Sequence, residues 1–467
     1  MSRWERGAIV LTPLAAVATM AVGLRIGASP AVRAAVVYGA PPSGDHAGLA
    51  WQLLTLVDDR SVREAVAIEG VSVVARAGGR EARWEGATNA DGVAEVWLDL
   101  PGIVPGAPIS LEVRAPDEKT PLAAGDVAWP RDMARDATSG PSFARPSKQD
   151  GELLIEVAVY GSRLTPGAPS SVWVHVRDRA SGAGVAGATL DADAEPGLSL
   201  AATHVATDGE GWAELHATAE IHVVALGLRA EGKGNGSPKH GAWYGALPVA
   251  PGAAFVDMPQ EIRASAPIAF DVVVPTVLPR VYAEVDDEVG RAFAAALDVE
   301  RASTGPHAVV HVRPLPAGNY WLVTAGAPRA AENLTGAAVA RPFVVTAPGD
   351  RSVADLGARL ATRAPPHFSR FVALDGLPGR HAADGGRHRR GLLLAFGSLA
   401  IAAALETLLV LRGVERARQE IARVAEMLDD DRKTIERRFS AMSVVIGLLL
   451  TLLGFALLAA LLTWKAS

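Results

Sequence analysis

Apolar positions in this chain follow two regimes. Near the C-terminal end, residues 391–411 (GLLLAFGSLAIAAALETLLVL) and 441–464 (AMSVVIGLLLTLLGFALLAALLTW) are continuous apolar runs. Each reaches the roughly 20 residues that cross about 30 Å of hydrocarbon. Both are predicted transmembrane helices, and the charged, helix-forming stretch 412–440 between them is predicted to be the tip of a helical hairpin. Upstream, from Leu49 onward, the pattern changes to short alternating runs bounded by Gly, Pro, Asp and Asn. That is the signature of antiparallel strands with one buried face. Residues 49–57, 71–76, 93–100 and 109–115 are the clearest.

The strand region repeats itself. Gly70-Val71-Ser72-Val73 returns as Gly187-Ala188-Thr189-Leu190, and residues 87–96 (ATNADGVAEV) return as 206–215 (ATDGEGWAEL). Residues 111–115 (LEVRA) return as 226–230 (LGLRA). Three matches in order, each about 117 residues apart, indicate a duplicated module. Within the shared phrase, Asn89-Ala90-Asp91-Gly92 and Asp208-Gly209-Glu210-Gly211 pair a side chain able to bond its own backbone with a Gly able to take positive φ, so each predicts a tight turn. With period two, Ala94, Val96 and Leu98 then face one side of the following strand, as do Ala213, Leu215 and Ala217. Glu95 and Trp97, or Trp212, Glu214 and His216, face the other.

These boundaries give sandwich 1 at 36–140, sandwich 2 at 151–258 and a third unit at 262–345. The third has strands at 268–274, 281–285, 308–312 and 320–324 but lacks the turn-strand phrase. Polar residues 130–150 are read as a linker. Residues 346–390, punctuated by Pro348-Gly349, Pro365-Pro366, Pro378-Gly379 and Gly385-Gly386, are read as a stalk. The fold class expected is mainly β, tandem antiparallel β-sandwiches plus transmembrane α-helices.

The alternating first strand, the phrase Ser181-Gly182-Ala183-Gly184-Val185-Ala186-Gly187-Ala188 and the Thr-Asp-x-x-Gly-x-Ala turn-strand together resemble the bacterial Ig-like and carboxypeptidase-regulatory-like sandwiches. They are similar also to the macroglobulin-like domains of large protease-trapping proteins. The resemblance covers about residues 36–258, rests on turn chemistry and implies a fold rather than an activity. No functional residue of those families carries over, and a chain without Cys cannot run the thioester chemistry of the trapping proteins.

Composition narrows the partners. A net charge of −6 over 467 residues offers no basic stripe for nucleic acid. With no Cys there is no disulfide framework, Cys-ligated metal or thiol nucleophile. Arg far outnumbers Lys among the 45 basic residues, a bacterial bias. Arg3 and Arg6 precede an apolar stretch at 7–24, the layout of a secretory signal or of an uncleaved anchor, and residues 1–31 are assigned to one or the other. Either one exports the chain beyond it. The location expected is therefore a bacterial membrane with the multi-domain part outside, and the partners expected are the membrane and other envelope or membrane proteins.

Few residues carry candidate chemistry. In residues 172–177 (VWVHVR) the Val set faces inward, leaving Trp173, His175 and Arg177 on the side where Trp212, Glu214 and His216 would lie. This exposed face either packs on a neighbouring module or, were the register to bring His175, His216 and Glu214 together, would suit zinc. Asp191-Ala192-Asp193-Ala194-Glu195 alternates carboxylates as a solvated acidic edge or a partial Ca²⁺ site. Asn333-Leu334-Thr335 matches a glycosylation acceptor. Glu406 is the one ionisable residue well inside a span, either snorkelling to the headgroups or contacting an intramembrane partner. It lies on a seam with Leu399, Ala403 and Val410 at four- and three-residue spacing. No hydrolase, zincin or nucleotide-loop motif is present, and no cofactor is expected. The sequence therefore points to a non-enzymatic binding or scaffolding role at a membrane. The alternative is a sensor or complex subunit acting through the hairpin.

Overall fold

The computed structural model describes residues 3–27, 32–40, 48–59, 62–103, 106–128, 142–234, 237–264, 266–274, 278–302, 305–328, 338–350, 355–365 and 371–428. They divide into two compact units, one drawn from residues 1–34, 57–64 and 376–467 and one from 35–56 and 65–375. The larger is built from β-sandwiches.

In the first sandwich, β1 (Val32–Ala40), β2 (Gly48–Asp59), β3 (Val62–Ala65) and β6 (Val93–Asp99) make one sheet. The facing sheet is β4 (Val71–Ala77), β5 (Arg80–Gly86), β7 (Pro108–Arg114) and β8 (Ala123–Ala128). Alternation places Val71, Val73, Val96, Leu98, Ile109, Leu111 and Val113 in one core with Trp51 and Leu53. The second sandwich sets β10 (Leu153–Val159), β11 (Pro169–Asp178), β15 (Trp212–Ala219) and β13 (Leu198–Leu200) against a five-stranded sheet. That sheet runs in the order β14 (His204–Ala206), β12 (Thr189–Ala194), β16 (Val224–Gly234), β17 (Ser237–Leu247), β9 (Lys148–Gly151). Val172, Val174, Val176, Leu190, Leu215, Leu226, Leu228 and Trp243 fill the space between.

Residues 255–346 make a third sandwich of the same order. One sheet is β18 (Phe255–Asp257), β20 (Ile268–Val273), β24 (Gly305–Val312), β23 (Glu300–Ala302). The other is β19 (Glu261–Arg263), β26 (Val339–Thr346), β25 (Gly318–Ala325), β21 (Arg280–Asp286), β22 (Arg291–Asp298). The central pairs β2–β6, β11–β15 and β20–β24 correspond, as do the triplets β4–β7–β8, β12–β16–β17 and β21–β25–β26. The third core contains Phe270, Phe343, Tyr320, Val281, Val310 and Leu322, with Phe270 edge-on to Phe343 at 5.8 Å.

The shared phrase does the same work in both sandwiches that carry it. Thr88 and Thr207 are buried, and each accepts a backbone N–H through its hydroxyl: from Ile68 at 2.8 Å and from Ala188 at 2.8 Å. Asn89 Oδ1 accepts from the amides of Asp91 and Val93, as Asp208 Oδ1 does from Glu210 and Trp212. Gly92 and Gly211 take φ +70° and +87°, and a Cβ on either would fall 2.5 or 2.6 Å from a backbone oxygen, of Thr55 or Val176. Only Gly fits there.

Two parts of the sandwich unit differ from the sequence expectation. The segment read as a stalk, 346–390, holds a short helix α2 (Leu356–Ala361) and strand β27 (Phe371–Asp375), which pairs antiparallel with β1, and its last part, from Leu377, is helical. Pro348-Gly349 makes a turn after β26, whereas Pro378-Gly379 lies in the first turn of the helix, where Pro is tolerated, and Gly385-Gly386 continues it. The pairing with β1, far away in sequence, leaves no local periodicity. The end of the expected linker, 148–150, belongs to β9, an edge strand on β17; its polar residues suit an edge.

In the smaller unit, α1 (Arg3–Gly27) packs on α3 (Leu377–Leu428), with Met20 and Leu24 against Ala395 and Leu399. A Cβ on Gly23 would lie 2.8 Å from the Gly391 carbonyl, so the two backbones meet there. Helix α3 is longer than the predicted span of 391–411: it starts at Leu377 and passes Gly413 unbroken to Leu428. Its stretch Arg389–Val424 is apolar and long enough to cross a membrane. Residues 429–440 of the tip, the predicted span 441–464 and Asn333-Leu334-Thr335 lie outside the described residues.

Candidate functional site

The outward face of β10–β11–β15 carries the residues singled out in sandwich 2, but the register separates them. His175 stands between Glu156 and Trp212, Trp173 between Ala158 and Glu214, and Ser171 opposite His216. The Trp173–Glu214 row therefore lies between His175 and His216, and the three proposed zinc ligands do not converge. His175 instead stacks on Trp212, centroids 4.1 Å apart and planes 5° from parallel. Its Nε2 is 3.2 Å from the Glu210 carbonyl and its Nδ1 is 3.4 Å from the Glu156 carboxylate. Burial lowers the His175 pKa, overriding the opposite pull of the Glu210 carbonyl and Glu156.

Trp173 is not free. It packs with Tyr160, Leu356 and Leu360, and a Cβ on Gly357 would fall 2.4 Å from its Cζ2, so the backbone of α2 rests on the indole. Of the five residues, His216 is exposed, while Trp212 and Glu214 are half-buried. The five residues thus differ in surroundings, with Trp173 covered by α2 and His216 exposed.

The strongest chemistry lies where the third sandwich meets the other two, and sequence reasoning missed it. Asp91, in the first of the two shared turns, accepts hydrogen bonds from Arg280 Nη1 at 2.8 Å and Tyr282 Oη at 2.6 Å, both on β21. Arg291 Nη1 donates to Glu95 at 3.2 Å, and the Arg313 guanidinium covers the Trp97 ring at 4.6 Å. Glu95 and Trp97 are the outward-facing positions of β6, so the alternation gave their direction but not their partners. Hydrogen bonds to Asp91 and Asp298 hold Arg280 above its ordinary pKa against the lowering effect of burial. Burial, then the bond to Asp91, pushes Tyr282 up to about 12. Beside this joint, Asp286 is raised to about 7 by burial, with Arg291 opposing and Asp287 adding to the shift.

Toward sandwich 2, Tyr160 Oη donates to the Pro342 carbonyl at 2.5 Å, and a Cβ on Gly161 would lie 2.9 Å from the Ala340 carbonyl. Arg341 is 5% exposed, with its guanidinium over Phe255 at 5.0 Å, and burial lowers its pKa. Helix α2 lies against both β11 and β26. The three sandwiches are thus braced through the third.

In the helical unit, Ala395, Ala402 and Glu406 are buried at seam spacing. Glu406 is 2% exposed, and its Oε1 meets no hydrogen-bond partner among the described residues. A pairing with Arg6 falls on a side chain outside them.

Together these observations define a class: a mainly β protein of tandem β-sandwiches with a C-terminal apolar helix that could span a membrane. No family model and no curated protein matches the chain. Similar solved structures include native alpha-2-macroglobulin of Escherichia coli, at 13% identity over 68% of this chain and 22% of that one, TM-score 0.18. Invasin, a bacterial integrin-binding protein, matches at 13% identity over 68% and 60%, TM-score 0.17. The Escherichia coli adhesin FdeC matches at 13% over 69% and 98%, TM-score 0.16. The chain thus spans less than a quarter of the macroglobulin, and the sandwich assignment rests on the strand order and cores described above.

Proposed function

We propose that this chain is a bacterial envelope protein that holds its braced sandwiches outside the membrane on α3 as a non-enzymatic binding or scaffolding platform. The observation that carries the reading is the pairing of an apolar helix of spanning length with sandwiches locked at two joints. A rigid platform presents a surface in a fixed geometry, which lowers the ordering cost of binding. The basic start of α1 and the basic residues after 411 face the cytoplasm in this arrangement. Reporter fusions active only after export should be active at Pro146 and silent at Asp430. Equal signals at the two sites refute the topology and the envelope role with it.

Glu406 favours a second reading, in which the same protein is a subunit of a membrane complex. A carboxyl buried in an apolar seam costs several kcal/mol unless another group meets it. Under this reading Glu406→Leu lowers co-purification of a partner membrane protein without lowering insertion. Unchanged assembly leaves the carboxyl to snorkelling.

A further inference from the structure

The outward face of the five-stranded sheet of sandwich 2 holds a groove of about 320 Å³. Two cross-strand rows build it. One reads Asp191, Arg229, Ala242, Asp150 across β12, β16, β17 and β9; the next reads Asp193, Gly227, Tyr244, Lys148. In each row one small residue sits among long ones, Ala242 in the first and Gly227 in the second. They make the floor of a hollow in a surface that larger side chains would level. β12 is an inner strand, paired with β14 and β16, so its carboxylates line a groove rather than an edge.

From this arrangement we infer that the groove binds a saccharide, a neutral or weakly charged sugar of about disaccharide size. The inference rests on the reading of the chain as a binding module. Three carboxylates, Asp150, Asp191 and Asp193, disfavour a phosphate or other polyanion, and Arg229 and Lys148 disfavour a bare cation. Donors and acceptors placed within one hollow suit a ligand whose hydroxyls both give and take hydrogen bonds. Arg229 has no ion-pair partner among the described residues, which leaves its planar fork to bridge neighbouring hydroxyls. Asp191 is oriented by His204 Nδ1 at 2.5 Å. Tyr244 is 42% exposed beside Gly227, so part of its ring is uncovered for the C–H face of a pyranose. The volume sits at the lower end of small-ligand sites.

The test uses the full chain, solubilised in a detergent without a sugar headgroup, on an array of defined hexose and N-acetylhexosamine oligosaccharides with phosphate-bearing and peptide controls. Capture of neutral oligosaccharides is expected, with affinity falling at least tenfold in Arg229→Ala and in Gly227→Leu. The second variant keeps the strand: a Cβ at 227 meets its nearest atom at 3.5 Å, ordinary contact, and the longer side chain fills the hollow. Unchanged thermal unfolding separates a blocked site from a misfolded one; if Gly227→Leu unfolds, Arg229→Ala alone decides. Capture of no oligosaccharide, capture unchanged in the folded variants, or equal capture of the controls overturns the inference. The topology reporters test the envelope reading separately, so the two can fail independently.

Discussion

The turns Asn89–Gly92 and Asp208–Gly211 are the same device used for two ends. Both close on an Asn or Asp side chain that caps two amides, and both end on a Gly at positive φ. They differ at the third residue. In sandwich 1, Asp91 is held by Arg280 and Tyr282 of the third sandwich, whereas in sandwich 2 Glu210 is exposed. A turn chosen for its backbone can therefore carry a free surface position, and whether that position becomes a joint depends on what a distant segment brings to it.

The sharpest way to break this equivalence is at the glycines. Gly92→Ala and Gly211→Ala should each destabilise the sandwich unit by at least about 2 kcal/mol, since each strains a positive φ and drives a Cβ into a backbone oxygen. Denaturant unfolding checks this, and a loss at one site only would mean that the two turns are not equivalent. At the third position the effects should diverge. Asp91→Ala should cost about 1–2 kcal/mol by stripping Arg280 and Tyr282 of an acceptor, while Glu210→Ala should stay within about 0.5 kcal/mol. A double-mutant cycle of Asp91→Ala with Arg280→Ala should be non-additive, and additivity would show that the joint is not energetically coupled.

The smallest expected effect is in the pH response, at Asp286 on the third sandwich beside the Asp91 joint and at Asp178 in sandwich 2. Asp286 binds its proton more tightly folded than unfolded, being raised to about 7. Its contribution is complete below the unfolded carboxylate pKa and is lost as pH rises through about 7. In sandwich 2 the sign reverses. The hydrogen bond from Lys239 holds Asp178 below its ordinary value, so that contribution is present above the unfolded pKa and is lost as pH falls through the lowered one. Unfolding followed from about pH 2 to 8 should show Asp286→Asn removing a decline in stability toward neutral pH, and Asp178→Asn removing a decline at the acid end, below the ordinary carboxylate range. Parallel curves for wild type and Asp286→Asn would refute the buried-acid account.

The division between what was legible and what was not tracks the range of each interaction. Alternation along one strand decides which side chains face the core, so the inward sets at Val172–Val174–Val176 and Val96–Leu98 could be read directly, and so could the shared turn from its Asx and Gly residues. A continuous apolar run is equally local, which made the long apolar stretch of α3 visible, although its start at Leu377 was not, because polar residues there continue the same helix. Register and docking are not local. Whether His175 meets His216 depends on how β11 slides on β15, and one row of slip changes the answer.

The amino-acid sequence by itself determined the sandwich pattern, the duplicated turn and the apolar helix, since each depends on residues within a few positions of one another. Only the tertiary structure decided that residues 371–375 join the first sandwich as β27, that Trp173 lies under α2, and that Asp91 is a joint where Glu210 is not. These outcomes depend on which surfaces of distant segments bury one another, and periodicity carries no record of the partner.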